Sequence, residues 1–236
     1  MAVAEDLSVY TWGLNDHMQL ARGTPGNSLH HEPQKSHMLS SMEPKLIVSG
    51  CDHGLMTDSG GNLYAWGSND NGQLGVGDRN PVKSIVALTS LGGNIRDIAC
   101  KGSDNYVINS EGTCYKWPNT ESNNPEEFYA PRVMRLKDPA VRLVQISCGA
   151  KFAIAIGMMG NTYSTGLNNS GQLGLGDLTD RTNFTLMRYF VDHGDKIQSV
   201  SSGMAHSICK STTGKMFSWG LNDDGQLGSG SFSNSK

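Results

Sequence analysis

The sequence is poor in charge and has no long apolar run. Charged residues make up 17% of the 236 residues, whereas about 25% is usual in globular domains. The formal net charge is −3 and no basic cluster is present, so we expect no direct binding to nucleic acid or to an anionic membrane. No apolar stretch reaches the length of about 18 residues that a membrane-spanning helix needs.

Cysteine spacing shows no pattern either. The five cysteines contain no Cys-x-x-Cys pair, which indicates reduced, mostly buried thiols rather than a disulfide framework. The first residues include Glu5 and Asp6 and lack the apolar centre of a secretory signal. These features predict a cytoplasmic or nuclear protein.

Glycine, in contrast, is abundant. It accounts for 29 of the 236 residues, where about 7% is usual. Because glycine is costly inside helices, this content disfavours a helical bundle and indicates a turn-rich fold.

A loop motif, Asn-x-x-Gly-Gln-Leu-Gly, recurs along the chain. Each copy follows an aromatic strand that ends in glycine, and the anchor position of that strand recurs at intervals of about 52 residues. A degenerate copy at Trp117-Pro118 has an acidic, Asn-rich loop, 119–128, in place of the motif. The motif lies at Asn69–Gly75, Asn168–Gly174 and Asn222–Gly228, with a variant at Asn15–Ala21; the anchors are Trp12, Trp66, Trp117, Thr165 and Trp219.

One copy reads as four short strands. Alternating residues in 62–66 are bounded by Gly-rich and Asp-rich turns, which is the hairpin pattern, and apolar stretches precede Gly50 and cover 81–88. A single such sheet cannot bury both of its faces, so the copies must stack. The sequence therefore predicts an all-β propeller of four-stranded antiparallel blades, about 4.5 blades in this chain.

The predicted organisation is a single repeat domain. It covers residues 8–230, with tails at 1–7 and 231–236. The copies span roughly 8–44, 45–92, 93–140, 141–194 and 195–230.

Structural roles explain the repeated residues. We expect the glycines of the motif to have positive φ, the leucine to fill space between sheets, the glutamine and asparagine to satisfy loop backbone groups, and the anchor tryptophan to lie in the core. In the first copy Met18 and Ala21 stand where the other copies have glycine. That copy must adopt a different loop or tolerate strain.

A Gly-x-x-His element also occurs at Gly50–His53 and at Gly203–His206. Together the motif, the anchors and these elements resemble the regulator of chromosome condensation repeat, over residues 8–230. The resemblance implies a seven-bladed propeller, of which this chain would hold a partial set. Either the sequence is a piece of a longer chain or it forms an open arc. An open arc would expose blade edges through which molecules can associate.

The resemblance also implies that partners bind loops which follow the glycine of each Gly-x-x-His element. Position matching at Gly50, Gly102, Gly149 and Gly203 gives five candidate partner-binding residues. Asp52 and His53 fit the full Gly-x-Asp-His pattern of the family. Asp104 keeps only the acid of that pattern, in a loop that is one residue shorter. His206 keeps only the histidine, and Lys151 reverses the charge. A histidine at this position can equally serve the loop backbone, and an acid can be an exposed turn residue.

No catalytic constellation is evident. The chain has no phosphate-binding loop and no nucleophile elbow. His30, His31 and His37 could form a zinc site, but no cysteine accompanies them, and a solvated loop is the alternative. We therefore predict no cofactor, no metal and no enzymatic activity.

Three functional hypotheses follow. The first is a non-catalytic module that binds partner proteins through its loops, as a scaffold or as a subunit of a larger assembly. The second is a guanine-nucleotide exchange factor for a Ran-like small GTPase, with Asp52 and Asp104 as contacts. The resemblance implies that family members with this activity carry an inserted β hairpin, for which the copies in this chain leave little room. The third is an enzyme or metal protein whose motifs are not visible.

Overall fold

The chain is described by a computed structural model over residues 1–23, 29–119 and 125–235. Within these ranges the regular structure is dominated by strands, which confirms the all-β prediction. In the described residues the helical elements are α1 (His37–Ser40), α2 (Pro125–Tyr129), α3 (Arg188–Asp192) and a 3-10 turn at Thr89–Leu91. The strands are β1 (Ala2–Val3), β2 (Val9–Gly13), β3 (His30–Lys35), β4 (Pro44–Ser49), β5 (His53–Asp58), β6 (Leu63–Gly67), β7 (Val86–Ala87), β8 (Ile95–Lys101), β9 (Asp104–Asn109), β10 (Cys114–Trp117), β11 (Arg132–Val133), β12 (Leu143–Cys148), β13 (Phe152–Gly157), β14 (Thr162–Gly166), β15 (Arg181–Leu186), β16 (Ile197–Ser202), β17 (His206–Ser211) and β18 (Met216–Gly220).

These strands form successive meander sheets, as predicted, and we number the sheets as blades. Blade 1 has the order β1-β2-β3, blade 2 β4-β5-β6-β7, blade 3 β8-β9-β10-β11, blade 4 β12-β13-β14-β15 and blade 5 β16-β17-β18. Neighbouring strands in blades 1, 2, 4 and 5 are antiparallel. In each of these blades, strands that follow one another in the chain lie side by side.

Two compact units are present. Unit 1 comprises Met1–Asn105 and Lys116–Arg132, and unit 2 comprises Tyr106–Tyr115 and Val133–Lys236. Blades 1 and 2 lie in unit 1, and blades 4 and 5 lie in unit 2. No helix within the described ranges is long and apolar enough to cross a membrane.

Each unit has its own core between consecutive blades. In unit 1 the core includes Trp66 and Met56 of blade 2 with Val9 and Ala21 of blade 1. In unit 2 all six residues of β13 are buried. The unit 2 core contains Phe152, Ile154, Ile156, Leu173, Met187, Phe190, Ile197, Val200, Cys209 and Trp219.

Turn glycines join consecutive blades at one end. Gly61 has a φ of +78° and its carbonyl accepts a hydrogen bond of 3.0 Å from the Ile95 N–H of blade 3. A Cβ on Gly61 would lie 2.9 Å from Asn94 Cα. The position therefore needs glycine both for its backbone conformation and for the close approach of the next blade.

The Asn-x-x-Gly-Gln-Leu-Gly loops share one conformation in all four copies. In each, the asparagine Oδ1 accepts a hydrogen bond from the leucine N–H, at 2.9 to 3.1 Å. The glutamine Oε1 accepts from the N–H two residues earlier, at 2.8 or 2.9 Å. The predicted roles of the two polar residues are thus confirmed, and the buried leucines are Leu20, Leu74, Leu173 and Leu227.

The first copy of this loop keeps the same fold with side chains at positive φ. Met18 has a φ of +61° and Ala21 a φ of +49°. The turn hydrogen bonds from Met18 N–H to Asn15 O and from Ala21 N–H to Met18 O match those of the other copies. Of the two predicted possibilities, the loop tolerates the strain rather than changing its conformation.

A substitution at Met18 measures that strain. We expect Met18→Gly to be more stable than Met18→Ala by about 1 kcal/mol, because only the alanine keeps a Cβ in the left-handed region. Urea unfolding of both variants gives the difference. Equal free energies of unfolding would show that the Cβ at this position carries no strain.

Three anchor tryptophans connect their blade to the loop of the preceding copy. The prediction of a core position is wrong for Trp12 of the first copy, which is 40% exposed. The indole N–H of Trp66 donates to Gln19 O at 3.0 Å, that of Trp117 to Gln73 O at 2.9 Å and that of Trp219 to Gln172 O at 3.0 Å. The copy that lacks the glutamine is followed along the chain by the copy in which Thr165 replaces the tryptophan. The copy with Thr165 therefore has no indole donor at its anchor position.

Two tryptophan variants test this hydrogen bond. Gln73 O has a second donor, Asn105 Nδ2, at 2.9 Å, whereas only the Trp219 indole is seen to donate to Gln172 O within the described residues. Trp219→Phe should therefore lower the free energy of unfolding more than Trp117→Phe, by about 1 kcal/mol or more. Chemical denaturation of both variants measures this. A larger loss for Trp117→Phe would contradict the assignment.

Candidate partner-binding loops

The loop that precedes the second strand of a blade and the loop that follows its third strand emerge from the same end of the sheet. Strand β5 begins at His53 and the antiparallel β6 ends at Gly67, and these two residues are paired. The loop before β5 and the loop after β6 therefore lie together, and the Ser68 N–H donates to Asp52 O at 2.8 Å. Unit 2 repeats this bond from Leu167 N–H to Lys151 O at 2.8 Å and from Leu221 N–H to Ala205 O at 2.9 Å. We call this part of each blade its loop end.

Consecutive loop ends are also joined to one another. In unit 1 the Cys51 N–H donates to Gly102 O at 3.1 Å, and in unit 2 the Ala150 N–H donates to Met204 O at 3.0 Å. Backbone bonds of this kind hold neighbouring loops in a defined relative position. Such loops on a rigid scaffold are suited to binding.

The glycine that opens each of these loops is required by a ring. A Cβ on Gly50 would collide with the His53 imidazole, and one on Gly203 would collide with the His206 imidazole. At the same place in blade 4 the ring over Gly149 is the phenyl group of Phe152. Since the phenyl group of Phe152 packs over its glycine as the imidazoles do over theirs, this packing does not require the polar atoms of a histidine.

His53 lies beneath the loop rather than on its surface. Its side chain is 2% exposed, and its Nε2 lies 2.7 Å from Asn105 Oδ1. The Asn105 amide nitrogen donates to Gln73 O, so the Asn105 oxygen is the acceptor and His53 carries its proton on Nε2. The buried Nδ1 has no hydrogen-bond partner within the described residues. His53 was predicted to contact a partner, but its buried side chain is not accessible to one. Its role is therefore limited to positioning neighbouring residues.

Burial lowers the pKa of His53 below its ordinary value. This effect outweighs the hydrogen bond to Asn105 and the charge of Asp52, both of which favour the protonated ring. The folded protein therefore binds a proton at His53 less readily than the unfolded chain does.

Stability should consequently depend on pH through His53. In the unfolded chain histidine titrates near pH 6.5, so the contribution of the neutral ring is complete above about pH 7 and declines as the pH falls below about 6.5. We expect His53→Gln to lose less free energy of unfolding than wild type between pH 7 and pH 5. His206→Gln retains His53 and should behave as wild type in this comparison. An unchanged pH profile in His53→Gln would contradict the assignment.

The other predicted residues occupy different positions in their loops. Lys151 is exposed, whereas Asp52 and His206 are partly buried. Met204, in the loop bonded to Ala150, is 72% exposed. Neither the exposure of Met204 nor the contact between these two loops had a signal in the sequence.

Asp104 stands in the position of His53 rather than that of Asp52. The loop between β8 and β9 contains only Gly102 and Ser103, and Asp104 begins β9 as His53 begins β5. Its carboxylate lies 3.5 Å from Lys116 Nζ, with both side chains less than one-fifth exposed. The one-residue deletion therefore moves this acid from the loop into the strand, where it forms an ion pair.

No group of three or more His, Cys, Asp or Glu side chains is close enough to hold a metal ion in the part of the chain that the structure describes. His30 and His31 are successive residues of β3, so their side chains point to opposite faces of that strand. His37 begins α1.

Four-stranded meander sheets of this repeated form define a β-propeller fold with a partial set of blades. The family model of the Regulator of chromosome condensation (RCC1) repeat matches residues 8–56, 60–103 and 159–209, and a second RCC1 repeat model matches 45–73 and 197–226. The chain belongs to the RCC1 repeat family.

Relatives with curated descriptions have varied activities. The chain is 29% identical over 236 residues to the ultraviolet-B receptor UVR8 of Arabidopsis thaliana, covering 98% of this chain and 52% of that protein. It is 25% identical over 239 residues to the human E3 ubiquitin-protein ligase HERC2, covering 98% of this chain and 5% of that protein. The chain thus spans about half of UVR8 and a small part of HERC2.

Solved structures confirm the fold. Human WBSCR16 superposes with a TM-score of 0.82 at 21% identity, over 96% of this chain and 60% of that one. Prp20p from Saccharomyces cerevisiae superposes with a TM-score of 0.76 at 19% identity, over 97% of this chain and 58% of that one.

Proposed function

We propose that this chain is a non-catalytic module that binds partner proteins through the loop ends of its blades, as part of a larger assembly. The observation that carries the proposal is the pair of loops at each blade end, tied by the bonds to Asp52, Lys151 and Ala205. Those bonds hold exposed side chains on backbone that needs no reordering when a partner binds. Preorganised loops of this kind reduce the entropic cost of association.

The relatives support binding rather than one shared reaction. Matching regions occur in a protein described as an ultraviolet-B receptor and in one described as an E3 ubiquitin-protein ligase. A fold that recurs among such different activities is best explained as a binding scaffold.

The thiols support a cytoplasmic or nuclear location, which we also propose. None of the five cysteines is joined in a disulfide, and only Cys51 is exposed. Burial raises the pKa of the Cys209 thiol to about 12, with a smaller contribution from the charge of Asp195. That thiol therefore stays protonated and unreactive.

Charge and apolar changes at the loop ends of unit 2 test the proposal. The double variant Lys151→Glu, Met204→Asp alters exposed side chains in two bonded loops and should lower partner capture from a eukaryotic lysate at least about tenfold, with an unchanged melting temperature. The control is Glu111→Lys, which changes an exposed charge in the turn between β9 and β10 at the opposite end of its blade. Quantitative mass spectrometry of the captured proteins gives the comparison.

The outcomes separate the hypotheses. Equal capture by wild type and the double variant, with loss in Glu111→Lys, would contradict the assignment of the loop ends. Capture of a Ran-like GTPase that is released by added nucleotide, with exchange slowed in Asp52→Ala, would instead favour the exchange-factor hypothesis.

A further inference from the structure

The copy that lacks the motif places a tyrosine on the loop of the preceding copy. After β10, the segment 119–129 stands where the other copies have the motif, and the described part of this segment consists of Asn119 and α2. The Asn119 N–H donates to Phe128 O at 2.6 Å. This bond closes the segment into a loop. Its last residue, Tyr129, lies against the motif loop of blade 2, which belongs to the same compact unit.

The ring of Tyr129 is held by three contacts. A Cβ on Gly72 would collide with the ring, so only glycine at that position of the motif loop leaves room for it. The guanidinium carbon of Arg79 lies 5.6 Å from the ring centroid, which is a cation–π contact. The Phe128 ring meets the Tyr129 ring edge to face, with 4.7 Å between the centroids. All three contacts use the carbon atoms or the face of the ring.

These contacts leave the hydroxyl of Tyr129 unengaged. It makes no hydrogen bond to any residue in the described ranges, and it is not among the buried polar atoms that lack a partner there. The hydroxyl of a partly buried residue therefore faces solvent. Tyr64 shows the contrast, since its hydroxyl donates to Asp58 Oδ2 at 3.0 Å. The Tyr129 oxygen is thus accessible to an enzyme that modifies tyrosine.

The residues before Tyr129 are acidic. Glu126 and Glu127 precede it in the sequence Pro-Glu-Glu-Phe-Tyr. Protein kinases select substrates partly by charge, and two glutamates favour a kinase with a basic substrate groove. Because α2 has only five residues, few backbone hydrogen bonds must open for the segment to bind in an extended form. Tyr189 of the short helix α3 is 52% exposed but follows Arg188 instead of an acid.

A cation is already in place beside Tyr129. Arg79 is exposed and forms no ion pair with a carboxylate among the described residues. The carboxylate of the adjacent Asp78 instead accepts hydrogen bonds from Asn80 through both of its oxygens. A tyrosine phosphate carries a charge of about −2 near neutral pH and forms strong hydrogen bonds with a guanidinium. A phosphate on Tyr129 would therefore be stabilised by Arg79.

We propose that Tyr129 is a phosphorylation site for a tyrosine kinase that recognises acidic substrates. In the reaction the Tyr129 oxygen bonds to the γ-phosphorus of a nucleoside triphosphate. The bond from that phosphorus to the β-phosphate oxygen breaks, and the nucleoside diphosphate leaves. The phenolic proton passes to a carboxylate of the kinase. The product is a phosphate that pairs with Arg79 at the loop end of blade 2.

The consequence for binding rests on the proposed function. Arg79 and Tyr129 give the loop end of blade 2 a positive and aromatic contact, whereas the phosphorylated pair carries a net charge of about −1. Phosphorylation should therefore weaken binding of a partner that presents an acidic surface to this loop end. The modification itself does not depend on any partner.

Phosphorylation of the purified protein tests the site. The catalytic domain of an acid-directed tyrosine kinase is added with Mg²⁺ and adenosine triphosphate, and mass spectrometry follows the phosphate at each tyrosine. We expect Tyr129 to be modified at least about tenfold faster than Tyr189. The double variant Glu126→Gln, Glu127→Gln should slow modification of Tyr129 about tenfold. Tyr189→Phe is the control and should leave the rate at Tyr129 unchanged.

Phosphorus NMR tests the pairing with Arg79. The second pKa of a tyrosine phosphate is about 6, and a nearby guanidinium favours the dianion. The titration midpoint of the phosphate should therefore lie about 0.5 pH units lower in phosphorylated wild type than in phosphorylated Arg79→Gln. Lys151→Glu changes an exposed charge of unit 2 and should give the wild-type midpoint.

Three results would overturn the proposal. They are the absence of phosphate at Tyr129, modification of Tyr129 no faster than that of Tyr189, and equal titration midpoints in wild type and Arg79→Gln. Thermal melting checks the folding of each variant. The loop-binding test with Lys151→Glu, Met204→Asp concerns unit 2 and uses no kinase, so a failure there and a failure at Tyr129 are distinguishable.

Discussion

Three of the copies dock on the preceding copy through a hydrogen bond from the anchor indole to the main-chain carbonyl of a glutamine, and their stacking depends on this contact. A blade cannot bury both of its faces alone, so each must dock on a neighbour. The indole supplies apolar area and a hydrogen-bond donor in one side chain. The acceptor is the main-chain carbonyl of the glutamine, and the residue after that glutamine is the buried leucine of the motif. The bonds from Trp66, Trp117 and Trp219 therefore combine polar satisfaction with core packing.

This arrangement also explains why the motif loop is so regular. Its asparagine and glutamine side chains accept hydrogen bonds from N–H groups of the loop itself. The main-chain carbonyl of the glutamine remains available to the next blade. The same loop lies at the end of the blade where the shorter loop of Asp52 or Lys151 emerges. Stability and presentation of a binding surface thus use one set of contacts, while partner choice is left to the exposed side chains.

Much of this could be predicted from the sequence, because hairpin patterning, glycine position and repeat spacing are local properties. The strand succession and the roles of the asparagine, glutamine and leucine in the motif followed from them, whereas strain at Met18 and Ala21 was one of two possibilities that the sequence left open. The environments of His53 and Asp104 did not. His53 is buried, and its ring forms a hydrogen bond with Asn105, which belongs to another blade. Asp104 takes a strand position because the preceding loop is shorter, and counting from the glycine alone misplaces it.

The sequence by itself determined the class of fold, the repeat and the identity of the structural residues, since period-2 alternation and left-handed glycines constrain each segment from within. Only the tertiary structure decided which of the candidate side chains are accessible and which loops are bonded together. These properties depend on contacts between residues about 50 positions apart, and such contacts exist only once neighbouring blades have docked.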